Sequence, residues 1–185
     1  KGYIPAAIRA LQSKYPGITI GVRVLENDAA RLATVRGEVD FGIFFEPQTV
    51  RDLAVRSFVE VVLGFVTPTG HPLGGKREAR FSSCVGSRLI VPAEPLAVYE
   101  QISVLEGTTG VVIDRAVSSD NIQMITSLVL QGIGIGVLTS LDVITEVQRG
   151  LLSFTNISDP ILRPMTLALC TASARTPSYA AGIAL

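Results

Sequence analysis

Short apolar runs alternate with amphipathic segments along most of this chain, and this alternation limits its fold more than any other feature. Runs with the length and composition of buried strands lie at residues 39–45, 89–91, 133–138 and 165–170. Between such runs, residues such as Ile122, Ile125 and Val129 recur at helical spacing. Buried strands separated by helices are typical of parallel sheets, so the sequence predicts an α/β fold.

The amino-terminal part of the chain shows the same alternation. Apolar residues at helical spacing predict a first helix over residues 4–15. Residues 18–24 then alternate between apolar and polar, which predicts a half-buried strand. Either Asn27 or Asp28 can cap a second helix, which is expected to end at Gly37.

One segment interrupts the alternation of predicted strands and helices. Residues 67–75 are dense in glycine and proline and lead into a charged patch at residues 76–80. Such a break is typical of a boundary between two compact parts of a chain. Together with the isolated strand at residues 165–170, it predicts that the chain passes between two lobes twice, near Thr67 and near Ile161.

The composition argues against several classes of protein. Of the 185 residues, 48% are hydrophobic and 17% are charged, a balance that favours collapse in water over disorder. The 16 basic and 16 acidic residues leave no net charge, so a free-standing nucleic-acid binder is not expected. The best apolar run, residues 127–138, is shorter than a membrane span and is interrupted by glycines, so no span is predicted.

The residues that catalysis or metal binding would need are scarce. His71 is the one histidine, and its glycine- and proline-rich surroundings predict an exposed turn residue rather than a catalytic base. Histidine, cysteine and carboxylate residues show no zinc-ligand spacing. Asp40 lies near the start of a strand and is expected to be held by nearby backbone donors. No catalytic residue, metal or cofactor is therefore predicted.

The glycine and cysteine patterns support the same conclusion. Gly132, Gly134 and Gly136 are spaced somewhat like a dinucleotide-binding fingerprint, but they close a helix and enter a strand, which is the wrong order. They are expected to permit close packing of the strand against a helix, or of the backbone against a ligand. Cys84 and Cys170 could pair as a disulfide, although two free thiols are the expected state.

Helix starts that follow strands are the remaining candidates for a binding site. They lie near Asn27, at residues 92–95 and 118–121, and at Thr139 or Ser140. Free backbone N–H groups and hydroxyls at such positions suit a small anion. In an open α/β sheet they gather at the carboxyl ends of strands, where ligands bind. Each can also be only the cap of its own helix, but together they predict a two-lobed binder of small molecules.

Four segments, in this order, resemble the effector-binding domain of the LysR-type transcriptional regulators. They are residues 14–20 (KYPGITI), 36–43 (RGEVDFGI), 71–73 (HPL) and 128–138 (LVLQGIGIGVL). The resemblance implies a fold like that of the class II periplasmic binding proteins, with two Rossmann-like lobes joined by two crossover strands. One lobe would hold residues 1–66 plus 162–185, and the other residues 67–161.

The resemblance also implies a bacterial, cytoplasmic regulator with no membrane contact. A small-molecule effector, such as a carboxylate or an aromatic compound, would lie between the lobes and alter DNA binding. The DNA would be bound by a helix-turn-helix domain that belongs before this sequence. The domains would form a homodimer or homotetramer, pairing residues 4–15 of one copy with residues 121–131 of another.

Positions that match the family's effector contacts are Asn27, Phe45, Pro92, Ala93, Glu94 and Thr139. The aromatic side chain of Phe45 would favour a less anionic or partly apolar effector. Two alternatives remain at this point. One is a periplasmic solute-binding protein of the same fold, and the other is a small α/β enzyme.

Overall fold

The computed structural model describes residues 3–46, 52–174 and 178–184. The chain forms two compact units. The central unit is Val61–Pro164, and the terminal unit combines Gly2–Glu60 with Met165–Leu185. The expected boundary between residues 66 and 67 would divide a strand of the central sheet, whereas the structure places the passage just before that strand.

The described residues form six α-helices and nine strands. The helices are α1 (Tyr3–Lys14), α2 (Asn27–Val35), α3 (Ala97–Thr109), α4 (Ile122–Leu130), α5 (Ile144–Gln148) and α6 (Tyr179–Ala184). The strands are β1 (Gly42–Phe45), β2 (Leu53–Val61), β3 (Leu63–Pro68), β4 (Glu78–Ala79), β5 (Arg88–Pro92), β6 (Asp114–Ser119), β7 (Ile135–Thr139), β8 (Leu152–Ile157) and β9 (Met165–Ala172).

The central unit contains a six-stranded mixed sheet in the order β4-β8-β3-β7-β5-β6. Strand β5 pairs in parallel with β6 and β7, as the strand–helix alternation predicts. Strand β3 is antiparallel to both of its neighbours, β7 and β8. The parallel pairing that the alternation predicts thus covers only part of a mixed sheet, and β8 has no counterpart in the sequence prediction.

Helices cover the central sheet through apolar side chains. On one side, Ile125 and Val129 of α4 pack against Val66, Ile90 and neighbouring residues, all of them buried. Elsewhere in this unit the rings of Phe65 and Phe81 stack with their centroids 6.3 Å apart. Both sets bury apolar surface, which is the main source of stability for such a sheet.

The glycines that follow α4 serve packing. Gly132 has φ +72° and ends the helix, where its N–H bonds to the carbonyl of Val129. A Cβ on Gly134 would lie 2.4 Å from the carbonyl oxygen of Arg88, so the two strands approach too closely for a side chain. The expected packing of strand against helix occurs at Gly136, where an added Cβ would lie 3.0 Å from Cγ2 of Val129 in α4.

The terminal unit contains a three-stranded sheet in the order β1-β9-β2. Strand β1 is antiparallel to β9, and Phe44, Ala168 and Cys170 form its small buried core with support from α2. The strand expected at residues 18–24 is absent, and the side chain of Val24 is 93% exposed. Apolar alternation predicts one buried face, but a strand also needs a hydrogen-bonded neighbour, which this segment lacks among the described residues.

The segment after β7 also differs from its prediction. Residues 140–143 form a turn, and α5 begins only at Ile144. None of the described helices combines the length and apolar character that crossing a membrane requires.

Candidate functional site

A surface cavity of about 530 Å³ lies at the carboxyl end of β5 in the central unit. Its lining residues are Val91, Pro92, Ala93, Glu94, Tyr99, Ile102, Arg115 and Ser118. The volume falls within the range of about 300–1,000 Å³ that is usual for small-molecule sites. The position, beyond the carboxyl end of a parallel strand, is where ligands bind in open α/β sheets.

The loop between β5 and α3 forms one wall of the cavity. The N–H of Ala93 donates to the carbonyl of Ser119 at 2.9 Å, which ties the loop to the end of β6. The Glu94–Pro95 peptide bond is cis. The N–H of Leu96 then returns to the carbonyl of Ala93 at 3.1 Å, and α3 follows. The loop is thus held by backbone bonds at both ends.

Helix α3 supplies the opposite wall. Val98, Ile102 and Leu105 are its buried residues and anchor it to the unit. Tyr99 and Ile102 also line the cavity, one helical turn apart. Lower on the helix, Glu106 forms an ion pair with Arg115 of β6. Tyr99 and Ile102 of α3 therefore line the cavity, and Glu106 of the same helix restrains the guanidinium of Arg115.

An irregularity in β6 sets which side chains reach the cavity. Leu89 lies opposite Arg115, but Ile90 lies opposite Val117, so Ala116 is an extra residue in the pairing. In a regular strand, residues three apart point to opposite faces. The extra residue shifts the alternation. Arg115 and Ser118 consequently both line the cavity, while Val117 packs on the α4 side.

The cavity combines apolar and polar surface. Val91, Pro92 and Ile102 form apolar surface, while Ser118, Glu94 and Arg115 add polar groups. His71 lies elsewhere in a turn, half-buried rather than exposed, and its Nδ1 accepts from the N–H of Leu73 at 3.2 Å. The lining includes no histidine or cysteine that could serve as a base or nucleophile beside these groups.

Asn27 and Phe45, predicted as effector contacts, are in direct contact in the terminal unit. Asn27 Nδ2 donates to the carbonyl of Phe45 at 3.0 Å, and the N–H of Phe45 donates to Asn27 Oδ1 at 2.7 Å. The amide of Asn27 thus pairs with the end of β1 as a neighbouring strand would. Asn27 is the first residue of α2, and Glu26 holds the cap position, so neither Asn27 nor Asp28 is its cap.

Just beyond β1, the side chain of Glu46 also bonds to a backbone group, in this case one of β9. Glu46 has φ +46°, a conformation uncommon outside glycine, and its N–H donates to the carbonyl of Thr166. Its side-chain Oε1 accepts the N–H of Thr166 at 2.7 Å, in the place of a backbone carbonyl. The backbone therefore leaves the sheet immediately after Phe45.

Thr139 is buried at the end of β7. Its N–H and its hydroxyl both donate to Oδ2 of Asp142, at 3.0 and 2.8 Å. Thr139 does not cap α5, for which Val143 holds the cap position. The sequence predicts that Thr139 contacts a ligand or caps a helix. Its N–H and hydroxyl instead bond to Asp142 in the turn of residues 140–143.

The remaining candidates from the sequence have structural partners. Asp40 Oδ1 accepts the hydroxyl of Ser178 at 2.9 Å, rather than backbone N–H groups. Burial raises the pKa of the Cys84 thiol to about 11 and also raises the pKa of Cys170. Both cysteines are free thiols. No group of side chains suited to a metal ion occurs among the described residues.

The structure therefore brings Pro92, Ala93 and Glu94 together in one cavity, and Asn27 with Phe45 at another strand end. Sequence reasoning missed Tyr99, Ile102 and Arg115 as lining residues, whereas Ser118 belongs to the candidate segment at residues 118–121. The spacing of Tyr99 and Ile102 on one helical face was a usable signal. Arg115 gave no comparable signal, because its placement depends on the irregular pairing of β6.

Comparison with known proteins identifies the family. The family described as "LysR substrate binding domain" matches residues 1–183. The chain belongs to this family. Effector-binding domains of LysR-type transcriptional regulators have the type II periplasmic-binding-protein-like α/β fold, and the mixed sheets described above agree with it.

Solved structures of the family resemble this LysR substrate-binding domain closely in fold. The regulatory domain of CcmR from Synechocystis PCC6803, in complex with 2-PG, is 22% identical with a TM-score of 0.76. The comparison covers 96% of this chain and 85% of that one.

Two further structures are effector-binding domains. That of QuiR with shikimate is 13% identical, with a TM-score of 0.74 and coverage of 99% and 87%. That of BenM with its effector benzoate is 15% identical, with a TM-score of 0.72 and coverage of 99% and 82%. At these identities the similarity establishes the fold. No curated protein sequence matches the chain.

Proposed function

We propose that this domain senses a small organic effector, which binds in the cavity beside β5 and thereby alters DNA binding by the regulator that contains the domain. The cavity itself is the observation that carries this proposal. It combines an apolar wall with Glu94, Tyr99, Arg115 and Ser118 at the carboxyl end of β5. The complexes of CcmR, QuiR and BenM with small molecules support the same role.

We further propose that Asn27 and Phe45, whose positions match the family's effector contacts, contribute to effector binding. Asn27 would act chiefly by holding the backbone of Phe45, because both ends of its amide already bond there. Phe45 would supply an apolar contact. Thr139 has a weaker role in this proposal, since its hydroxyl donates to Asp142.

The regulator would act in the cytoplasm, where DNA is accessible to it, through a helix-turn-helix domain outside this sequence. Family membership favours this role over the two alternatives, a solute-binding protein for transport and a small enzyme. The zero net charge of this domain argues that DNA contacts would be made by another domain of the regulator.

A ligand screen tests the sensing function. Carboxylates, aromatic acids, amines and amino acids would be added to the domain, and the melting temperature recorded. A true ligand at 100 times its Kd should stabilise the fold by about 2.7 kcal/mol. Amide NMR shifts at Ala93 and Ser118 then locate the site. A stabilising compound that shifts neither amide would place the effector elsewhere.

We also propose a homodimer or homotetramer in which α1 of one copy meets α4 of another. Apolar side chains exposed on these helices support this: Ile4 on α1, and Met124 and Leu130 on α4. Sedimentation velocity should show association that weakens in the variant Met124→Glu and persists in the exposed α4 control Ser127→Ala. A monomer at high protein concentration would contradict this pairing for the domain alone.

A further inference from the structure

We propose that the effector of this domain carries an ammonium group on an apolar body, and that the ammonium group faces Glu94. The inference rests on the proposed function, since it names the chemical class of the molecule that the cavity beside β5 receives. The charges, the hydrogen-bond donors and the apolar surface of that cavity all favour such a ligand.

Two charged side chains line the cavity. The carboxylate of Glu94 is available to a ligand, whereas the guanidinium of Arg115 already has an ion-pair partner. Arg115 already forms an ion pair with Glu106. Among the residues that the structure describes, none forms an ion pair with Glu94, whose side chain is exposed. A ligand carboxylate at Arg115 must compete with Glu106, whereas an ammonium group at Glu94 displaces only water.

The loop that carries Glu94 also offers few donors to an anion. Anion sites at strand ends commonly use backbone N–H groups. Pro92 and Pro95 have none, the N–H groups of Ala93 and Leu96 already donate to carbonyls, and the remaining N–H of the loop belongs to Glu94 itself, beside its own carboxylate. Glu100 places a carboxylate in the first turn of α3, where the helix dipole would otherwise attract an anion. The local environment therefore favours a cation.

An apolar body is needed as well as the charge. Val91, Pro92 and Ile102 present apolar surface to the cavity, and Tyr99 adds an aromatic ring. Contact with this surface would stabilise an aryl or alkyl group by removing apolar area from water. A tyrosine ring can also attract an ammonium group through its negative face. An inorganic cation would use only the carboxylate, so an amphipathic amine fits the cavity better.

Three probes of similar size separate the possibilities. Benzylammonium, benzyl alcohol and benzoate share a ring and differ in charge. Each would be titrated into the ¹⁵N-labelled domain at constant ionic strength, with Kd measured from the amide shifts of Ala93, Glu94 and Ser118. We expect benzylammonium to bind most tightly, benzyl alcohol next, and benzoate most weakly.

Two matched variants test the role of Glu94. Glu94→Gln removes the charge at the cavity, and Glu100→Gln removes a charge from the first turn of α3 outside the lining residues. Because Glu94 is exposed, its ion pair should contribute a two- to fivefold change in affinity, roughly. We expect Glu94→Gln to weaken benzylammonium by that factor and to leave benzyl alcohol unchanged. Glu100→Gln removes a charge that acts only through the field at the start of α3, so it should weaken benzylammonium less than Glu94→Gln does and leave benzyl alcohol unchanged. Melting curves without ligand confirm that both variants fold.

The outcomes distinguish this inference from the proposed function. Benzoate binding at these amides as tightly as benzylammonium would overturn the ligand class, as would the absence of benzylammonium binding. An unchanged Kd for benzylammonium in Glu94→Gln would also overturn it. The sensing function fails separately, if no compound of the wider screen perturbs the amides of Ala93 and Ser118.

Discussion

Asn27 shows how a single side chain can substitute for a strand. Its amide bonds to both backbone groups of Phe45, at the edge of β1 that faces away from β9. A cap would have satisfied only the N–H groups of α2. Asn27 therefore links the start of a helix to the end of a strand, and its removal should affect the end of β1.

The variant Asn27→Ala tests this link. It leaves a partly buried N–H and carbonyl without partners, so the free energy of unfolding should fall by about 1–3 kcal/mol. Urea unfolding measures the change, with the exposed α1 variant Gln12→Ala as the control, which should differ little from the wild type. Unchanged stability together with weakened effector binding would instead assign Asn27 to direct ligand contact.

Gly134 permits a close approach that no other residue would allow. Because a Cβ there would meet the backbone of Arg88 at 2.4 Å, Gly134→Ala must push two strands apart. We expect a loss of about 1–3 kcal/mol in unfolding free energy. Gly75→Ala is the matched control, since no atom lies within 4 Å of its added Cβ. That control should stay within about 0.5 kcal/mol of the wild type in the same urea titration.

At the scale of elements, the cavity depends on α3 and β6 more than on any one loop. The extra residue in β6 turns Arg115 and Ser118 to the same side, and Glu106 of α3 then holds Arg115. The β5–α3 loop adds Glu94. Two ordinary elements, one with an irregular pairing, thus build a binding surface.

Helix α4 illustrates an element whose start was predictable. Asn121 Oδ1 accepts the N–H groups of Gln123 and Met124, at 2.9 and 3.1 Å. Asn121→Ala should lower the unfolding free energy by about 0.5–2 kcal/mol, because these donors lose their partner. Asn121→Ser, which retains a capping oxygen, should recover most of that loss in thermal unfolding. Equal loss in both variants would show that Asn121 acts other than as a cap.

At the scale of the whole molecule, each unit has its own sheet and its own buried core. The chain enters the central unit after Glu60 and leaves it after Pro164. Buried thiols occur in both units, Cys84 in the central one and Cys170 in the terminal one. Their burial makes the stability of the domain sensitive to alkaline pH.

The sign of that pH dependence follows from Cys84. Burial raises its pKa from 9.0 to about 11, so the unfolded chain loses this proton at lower pH than the folded one. The stabilising contribution is complete below pH 9 and is lost as the pH rises through 11. Urea unfolding between these limits should show a steeper decline for the wild type than for Cys84→Ala. Identical slopes would contradict the role of this thiol.

Much of the fold could be predicted from local signals. Helical spacing indicated α1, α2 and α4, because the period of apolar residues reflects which face each helix buries. The candidate caps at residues 118–121 marked the start of α4, since a cap acts within a few residues of itself. The resemblance of short segments also led to the correct family. For the candidate site, Pro92, Ala93 and Glu94 were predicted to act together, and they line one cavity.

Other features depended on contacts between distant segments. Local patterns in the sequence were enough to predict which runs are apolar, where α1 and α4 lie, and which family the chain belongs to. Only the tertiary structure decided that β3 lies between β7 and β8, that residues 18–24 have no strand partner, and that Asn27 pairs with Phe45. It also decided that Arg115 joins Tyr99 and Ser118. Periodicity records the burial of a side chain, but hydrogen-bonded pairing depends on which strands become neighbours, and no local pattern encodes that choice.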